Sequence, residues 1–170
     1  MKRRWKYLPE FVYGGIDGSV TTFAIVAGSI GASLSSSVIL ILGFANLFAD
    51  GFSMAVSNYL SNKSDQELNE KRKFEKKPIK SALATFISFL VVGIIPLIFF
   101  VVSAFYGDLL KNAFVYSSLL TLGAFFIIGS VKGIVTGKHR VYSAFETLII
   151  GAIASAIAFA VGYLLKNFII

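Results

Sequence analysis

The sequence has no cysteine and one histidine, and only 15% of its 170 residues are charged. The absence of cysteine excludes disulfides, thiolate zinc sites and iron–sulfur clusters. The one histidine, His139, lies between Lys138 and Arg140, so a histidine-based zinc or catalytic site is not expected. A soluble domain carries about 25% charged residues, and the smaller share here indicates a chain that lies in lipid.

Hydrophobic residues make up 56% of the chain, and its mean hydropathy is +0.77. They form five apolar segments, each long enough to cross the hydrocarbon core as a helix of about 20 residues: 11–32, 38–60, 81–105, 113–135 and 142–165. A membrane barrel would show alternating polarity, which these segments lack. The sequence therefore predicts an all-α membrane protein, one transmembrane domain of five helices. The first segment is too long for a cleaved signal peptide.

Most of the 16 basic residues lie in the N-terminal arm, in the connection 61–80 and in the turn 132–140. Five spans place these three segments on one side of the membrane and leave Lys111 and Lys166 on the other. The positive side is cytoplasmic, so we expect the N-terminus inside and the C-terminus outside. The net charge of +7 is then explained by topology, and no nucleic-acid partner is expected.

Two aspartates lie inside apolar segments, Asp17 in the first and Asp50 in the second. A charged side chain at the centre of a membrane helix costs about 2.5–3.5 kcal/mol on insertion scales. Ionisable residues kept at such a position mark ion or proton pathways. The two aspartates thus favour a transport function.

The second segment carries a polar stripe with a spacing of four residues, which places its members on one helical face: Asn46, Asp50, Met54 and Asn58. A lone Met is usually core filler, but beside these polar groups it is a candidate soft ligand. Antiparallel packing of the first two helices would bring Asp17 level with Met54, and Thr21 level with Asp50. Carboxylate and thioether ligands together suit Fe²⁺ or Mn²⁺ better than Na⁺ or Mg²⁺.

Glu146 lies near the cytoplasmic start of the fifth segment. It is either a ligand or proton acceptor at the mouth of the pathway or an interfacial partner of Lys138 or Arg140. Glycines around Asp17 either let helices pack closely or open the wall to an ion. Pro96 is expected to kink the third helix. The acids of connection 61–80 alternate with bases, which favours a self-paired helical extension. No nucleophile–base pair is present, so we do not expect an enzyme.

Three stretches resemble the vacuolar iron transporter family, which includes prokaryotic and nodulin-like members. They are FVYGGIDGSVTTFAIVAG at 11–28, GFANLFADGFSMAVSNYLS at 43–61 and SAFETLIIG at 143–151. The resemblance implies a homodimer with the ion path between subunits, exporting Fe²⁺ or Mn²⁺ from the cytosol in exchange for protons. It implies metal-binding roles for Asp17 and Met54. Some members place a glutamate at the position of Asn46, and Asp50, one turn away, is its candidate substitute.

Iron-storing plant members carry a long glutamate-rich insert between helices two and three, where this chain has a basic connection of about 20 residues. The compact form favours a prokaryotic plasma membrane. The expected partners are transition-metal ions, protons and the lipid bilayer, with no bound cofactor. Two alternatives stay open: a carrier for a small organic cation, and a non-transporting membrane scaffold.

Overall fold

The computed structural model describes residues 6–68, 76–106 and 113–169, and every regular element in these ranges is helical. The elements are α1 (Leu8–Gly31), α2 (Ser36–Leu68), α3 (Pro78–Gly93), a 3₁₀ turn (Ile95–Leu97), α4 (Ile98–Tyr106), α5 (Ala113–Thr136) and α6 (Arg140–Ile169). Since α3, the 3₁₀ turn and α4 form one span, the described chain has five helical spans long and apolar enough to cross a membrane. The predicted fold class is confirmed, and the chain is an integral multi-pass membrane protein.

Helix α1 lies between α3 and α6, and glycines permit both contacts. A Cβ atom on Gly18 would lie 2.9 Å from the Phe89 Cα atom of α3, and one on Gly14 would clash with the Thr85 carbonyl oxygen. On the other side, a Cβ on Gly28 would lie 3.2 Å from the Ala158 carbonyl oxygen of α6. Close helix packing therefore accounts for these glycines, as small residues commonly allow in membranes.

The third span is interrupted at Pro96, as the sequence predicts. Proline has no N–H for the helical ladder and crowds the preceding turn, and the chain adopts the 3₁₀ turn Ile95–Leu97 there. The Leu97 N–H donates to the Ile94 carbonyl at 2.9 Å. The Ser117 hydroxyl of α5 donates to the Pro96 carbonyl, so the break is also held by a neighbouring helix.

Helix α2 runs past the predicted end at residue 60 and continues to Leu68. Its 33 residues correspond to about 50 Å, longer than the hydrocarbon core of about 30 Å, so the helix is too long to lie wholly within the core. Its last turns carry an exposed Lys63–Glu67 pair at 3.7 Å. The helical extension predicted for the connection 61–80 is present over 61–68, and residues 69–75 lie outside the described ranges.

Several sequence-based predictions concern residues outside the described ranges. These are the basic arm residues Lys2, Arg3 and Arg4, the acids Glu70 and Glu75, the bases 71–73, and Asp108 with Lys111. Two further prolines lie in the first turns of helices α1 and α3. Pro9 follows the first residue of α1, and Pro78 begins α3, positions where a missing N–H leaves no helical bond unmade.

Candidate functional site

Asp17 lies on α1 and is half-buried among the helices. Its main-chain carbonyl accepts a hydrogen bond from the Thr21 hydroxyl at 2.8 Å, so that hydroxyl is occupied by its own helix. The carboxylate itself has no hydrogen-bond donor and no cation among the residues that the structure describes. An acid in this position is open to an external cation.

Asp50, half-buried on α2, is near enough that its negative charge acts on the Asp17 carboxylate. Helices α1 and α2 are in contact, so the fold brings together the two acids that the sequence singled out. Like charges in a medium of reduced dielectric repel strongly, and within the described ranges no Lys or Arg pairs with either. The described structure therefore places two carboxylates on neighbouring spans, each without a basic partner.

Met54 and Asn46 lie one turn to either side of Asp50 on α2. Met54 is half-buried and packs against the hydrophobic cluster that contains Leu47 and Phe89, so part of its role is packing. The Asn46 side-chain nitrogen is buried and has no partner among the described groups. A buried polar group without a partner calls for an explanation such as an ion or a water. Both neutral side chains thus lie one turn from Asp50 on α2.

One interpretation of the sequence predicted an ion pair between Glu146 and Lys138 or Arg140. In the structure the ion-pair partner of Glu146 is Lys132 instead. The Glu146 Oε2 atom accepts a hydrogen bond from the Lys132 ammonium of α5 at 2.8 Å. The Glu146 side chain is 34% exposed and the Lys132 side chain is 25% exposed, so the pair is partly exposed and does not lie in the core. Lys132 lies on α5, 14 residues before Glu146 in sequence, and only the antiparallel packing of α5 and α6 brings the pair together.

Within the described ranges no three His, Cys, Asp or Glu side chains gather into a group able to hold a metal. In the described part of the chain, the candidate site therefore consists of two carboxylates and the neutral side chains beside Asp50 on α2.

Glu10 is a carboxylate that the sequence analysis overlooked. It is only 9% exposed, and its Oε1 atom accepts hydrogen bonds from the Lys76 ammonium at 2.7 Å and the Ser81 hydroxyl at 3.1 Å. Its Oε2 atom is buried with no partner among the described residues. The available signal was its position seven residues before Asp17, two helical turns along the same face.

Comparison with known proteins places the chain in a family. The model of the VIT family matches residues 8–77 and 65–163. A vacuolar iron transporter of Toxoplasma gondii is 28% identical over 94% of this chain and 74% of its own length. Vacuolar iron transporter 1 of Arabidopsis thaliana is 29% identical, with 93% and 86% covered. A vacuolar iron transporter of Centaurea cyanus is 29% identical, with 88% and 84% covered.

The two matched segments overlap at 65–77, at the connection between α2 and α3. The alignment with the Toxoplasma protein spans 225 positions, more than the 170 residues of this chain, so that relative contains segments with no counterpart here. With both membrane halves matched, the chain belongs to the VIT family.

Proposed function

We propose that this protein is a metal ion transporter that exports Fe²⁺ or Mn²⁺ from the cytosol in exchange for protons. The observation that carries the proposal is the Asp17–Asp50 pair, two half-buried carboxylates on neighbouring spans with no cationic partner in the described ranges. The names of the relatives, vacuolar iron transporters, support iron as a cargo.

The proposed ligand set joins these acids to the neutral donors on α2. Two carboxylates balance the charge of a divalent ion, and the Met54 thioether favours a softer ion. The Asn46 amide is the remaining neutral ligand of the proposed set. Glu146 is the proposed ligand at the mouth, where an arriving cation would replace Lys132. Because this set contains no thiolate, it releases its ion more readily than a structural metal site.

Proton exchange follows from the chemistry of the same carboxylates. A metal binds the ionised form of a carboxylate and a proton converts it to the neutral form, so the two ions compete for one site. The site would then bind protons on the acidic side of the membrane and metal on the other side. Proton movement in one direction would thus be coupled to metal movement in the opposite direction.

We propose further that the path lies between two copies of the chain. Four small residues spaced four apart form an exposed stripe on α2, beside the polar stripe: Ala45, Ala49, Ser53 and Ser57. Such spacing permits close approach of helices in a membrane. Pairing along this small-residue stripe would place the Asp50 side chains of both copies on one path. The proposed location is a prokaryotic plasma membrane with the N-terminus inside.

The test is metal flux into liposomes that contain the purified chain and a trapped fluorescent chelator. Initial rates are compared for Fe²⁺, Mn²⁺, Mg²⁺ and Ca²⁺, with and without an imposed pH gradient. We expect flux of Fe²⁺ or Mn²⁺ that rises when protons are more concentrated on the side to which the metal moves.

Asp17→Asn is the central variant because it removes the charge and nearly preserves the volume. We expect a folded protein whose flux falls to the level of empty liposomes. Flux of no metal by the wild-type chain would contradict metal transport, and flux indifferent to the pH gradient would contradict proton exchange. Near-normal flux in Asp17→Asn would remove the acid pair from the mechanism.

A further inference from the structure

A second feature of the molecule is an apolar groove between α2 and α3, with a volume of about 380 Å³. A water molecule's share of liquid volume is about 30 Å³, so the groove can hold a section of a hydrocarbon chain. Among the residues that the structure describes, its lining has no charged side chain, and Tyr59 is the one lining residue with a hydroxyl. The lining residues used below are Phe52, Val56 and Tyr59 of α2 and Ile79, Leu83 and Phe86 of α3.

The groove lies away from the Asp17–Asp50 pair. The α2 residues that line the groove, at positions 52, 56 and 59, form one stripe along the helix. The polar stripe at 46, 50 and 54 forms another. The face of α2 that packs on α3 lies between these two stripes. Leu83 is 50% exposed and Phe52 is 64% exposed, so the groove opens to the surroundings of the spans. Transport of an ion through the proposed path does not require it.

Positive charges flank the groove at its basic end. Lys63 lies one turn beyond Tyr59 on α2, and Lys80 is next to Ile79 on α3, and both are exposed. Lys63 contacts Glu67 at 3.7 Å, a distance and exposure at which an ion pair holds weakly. Lys76, in contrast, is held by Glu10. An apolar groove with an exposed lysine one turn beyond its lining on α2 and another next to its lining on α3 is complementary to a molecule with a hydrocarbon chain and an anionic head.

We propose that this groove binds an anionic phospholipid of the surrounding bilayer, with an acyl chain between α2 and α3 and the headgroup phosphate near Lys63 and Lys80. The lysine-rich side of a membrane protein faces the leaflet in which anionic lipids attract basic residues. The bound lipid would occupy the angle between the two helices where α2 leaves the membrane.

The test is native mass spectrometry of the full-length protein in detergent, titrated with phosphatidylglycerol or phosphatidylcholine of identical acyl chains. We expect the wild type to retain one phosphatidylglycerol in clear preference to phosphatidylcholine. The double variant Lys63→Gln/Lys80→Gln should lose about 25-fold of this preference, because each lysine near an anionic lipid contributes about a factor of five.

Two control comparisons make the result specific. Lys138→Gln/Arg140→Gln removes the same charge from the same side of the membrane but away from the groove, and should retain the wild-type preference. Val56→Trp fills the groove and should lower retention of both lipids, whereas Ile153→Trp, at an exposed position of α6, should not.

Equal loss in both charge variants would overturn the proposal, since a general surface potential would then explain the binding. Unchanged retention in Val56→Trp would place the lipid elsewhere and also overturn it. If Val56→Trp changed the oligomer mass and left lipid retention unchanged, the occupant of the groove would be a second copy of the chain, and the lipid proposal would be wrong. None of these outcomes depends on whether the protein transports metal.

Discussion

Met54 combines two roles that single-residue changes can separate. It packs against the hydrophobic cluster around Phe89, and it lies one turn from Asp50. Met54→Leu keeps the volume and the packing, since such swaps cost less than about 1.5 kcal/mol, but removes the sulfur. We expect Fe²⁺ or Mn²⁺ affinity to fall by about tenfold while Mg²⁺ affinity stays unchanged, because only the softer ions gain from a thioether.

The measurement for Met54 is flux in liposomes over a range of metal concentrations, with KM compared between metals. Met54→Ala is the matched variant, because it removes both sulfur and packing and should also lower the Tm. Equal changes for Fe²⁺, Mn²⁺ and Mg²⁺ in Met54→Leu would mean that Met54 only fills the core.

Glu146 and Lys132 form an ion pair at 2.8 Å, and a charge exchange tests whether the pair has more than a structural role. If an arriving cation replaces Lys132, Glu146→Gln should raise KM for metal several-fold with little change in kcat. In the double variant Lys132→Glu/Glu146→Lys the ion pair is restored but the carboxylate moves to α5, so the raised KM should persist. Recovery of the wild-type KM in the double variant would show that Glu146 only joins α5 to α6.

Among the helices, Glu10 of α1 is the centre of a group of polar contacts that joins α1, α2 and the start of α3. It binds Lys76 and Ser81 near the start of α3, and the Gln66 side chain of α2 donates to the Lys76 carbonyl at 3.0 Å. The Tyr7 hydroxyl accepts from the Lys77 N–H at 3.2 Å, which adds a second link from α1 to α3. The helix ends at this side are therefore held by polar bonds rather than by apolar packing alone.

Glu10→Gln is expected to lower stability by about 1–3 kcal/mol, less than the 3–5 kcal/mol measured for fully buried pairs because Lys76 is partly exposed. At about 2–4 °C per kcal/mol for a chain of this size, the Tm should fall by several degrees. The control is Lys63→Gln, which breaks the exposed Lys63–Glu67 pair and should shift stability by less than about 1 kcal/mol. Equal Tm shifts in the two variants would contradict the special role of Glu10.

Helix number and type were predictable because each span is a long apolar segment, and the Pro96 break followed from the missing N–H. The end of α2 was not predictable from hydropathy, since a helix can continue into water when charged residues pair along it, as Lys63 and Glu67 do. For the candidate site, the acids Asp17 and Asp50 were visible as charges inside apolar segments. The partner of Glu146 was not, because Lys132 becomes its neighbour only after α5 and α6 pack.

For the whole molecule, the proposed cation site depends on a second chain, because the described residues supply only the two carboxylates Asp17 and Asp50 and no basic partner for either. The exposed small-residue stripe on α2 lies beside Asp50, and a two-fold axis along it would bring two such acids together. In a two-fold dimer, a residue meets its own copy only near the axis. The absence of native cysteine makes this geometry measurable, because any disulfide must come from an introduced residue.

Of single cysteines introduced in turn at Ala45, Ala49, Ser53 and Ser57, those nearest the two-fold axis should form inter-chain disulfides when membranes are oxidised, because close helix packing there brings Cα atoms within the 4.4–6.8 Å that a disulfide spans. Cysteine at Ile153, on an exposed face of α6, should leave the chain monomeric on a non-reducing gel. Cross-linking at Ile153 without cross-linking on α2 would place the interface on α6, away from Asp50. The proposed shared path would then be wrong even if the purified protein were a dimer, since the two acid pairs would open onto separate surfaces.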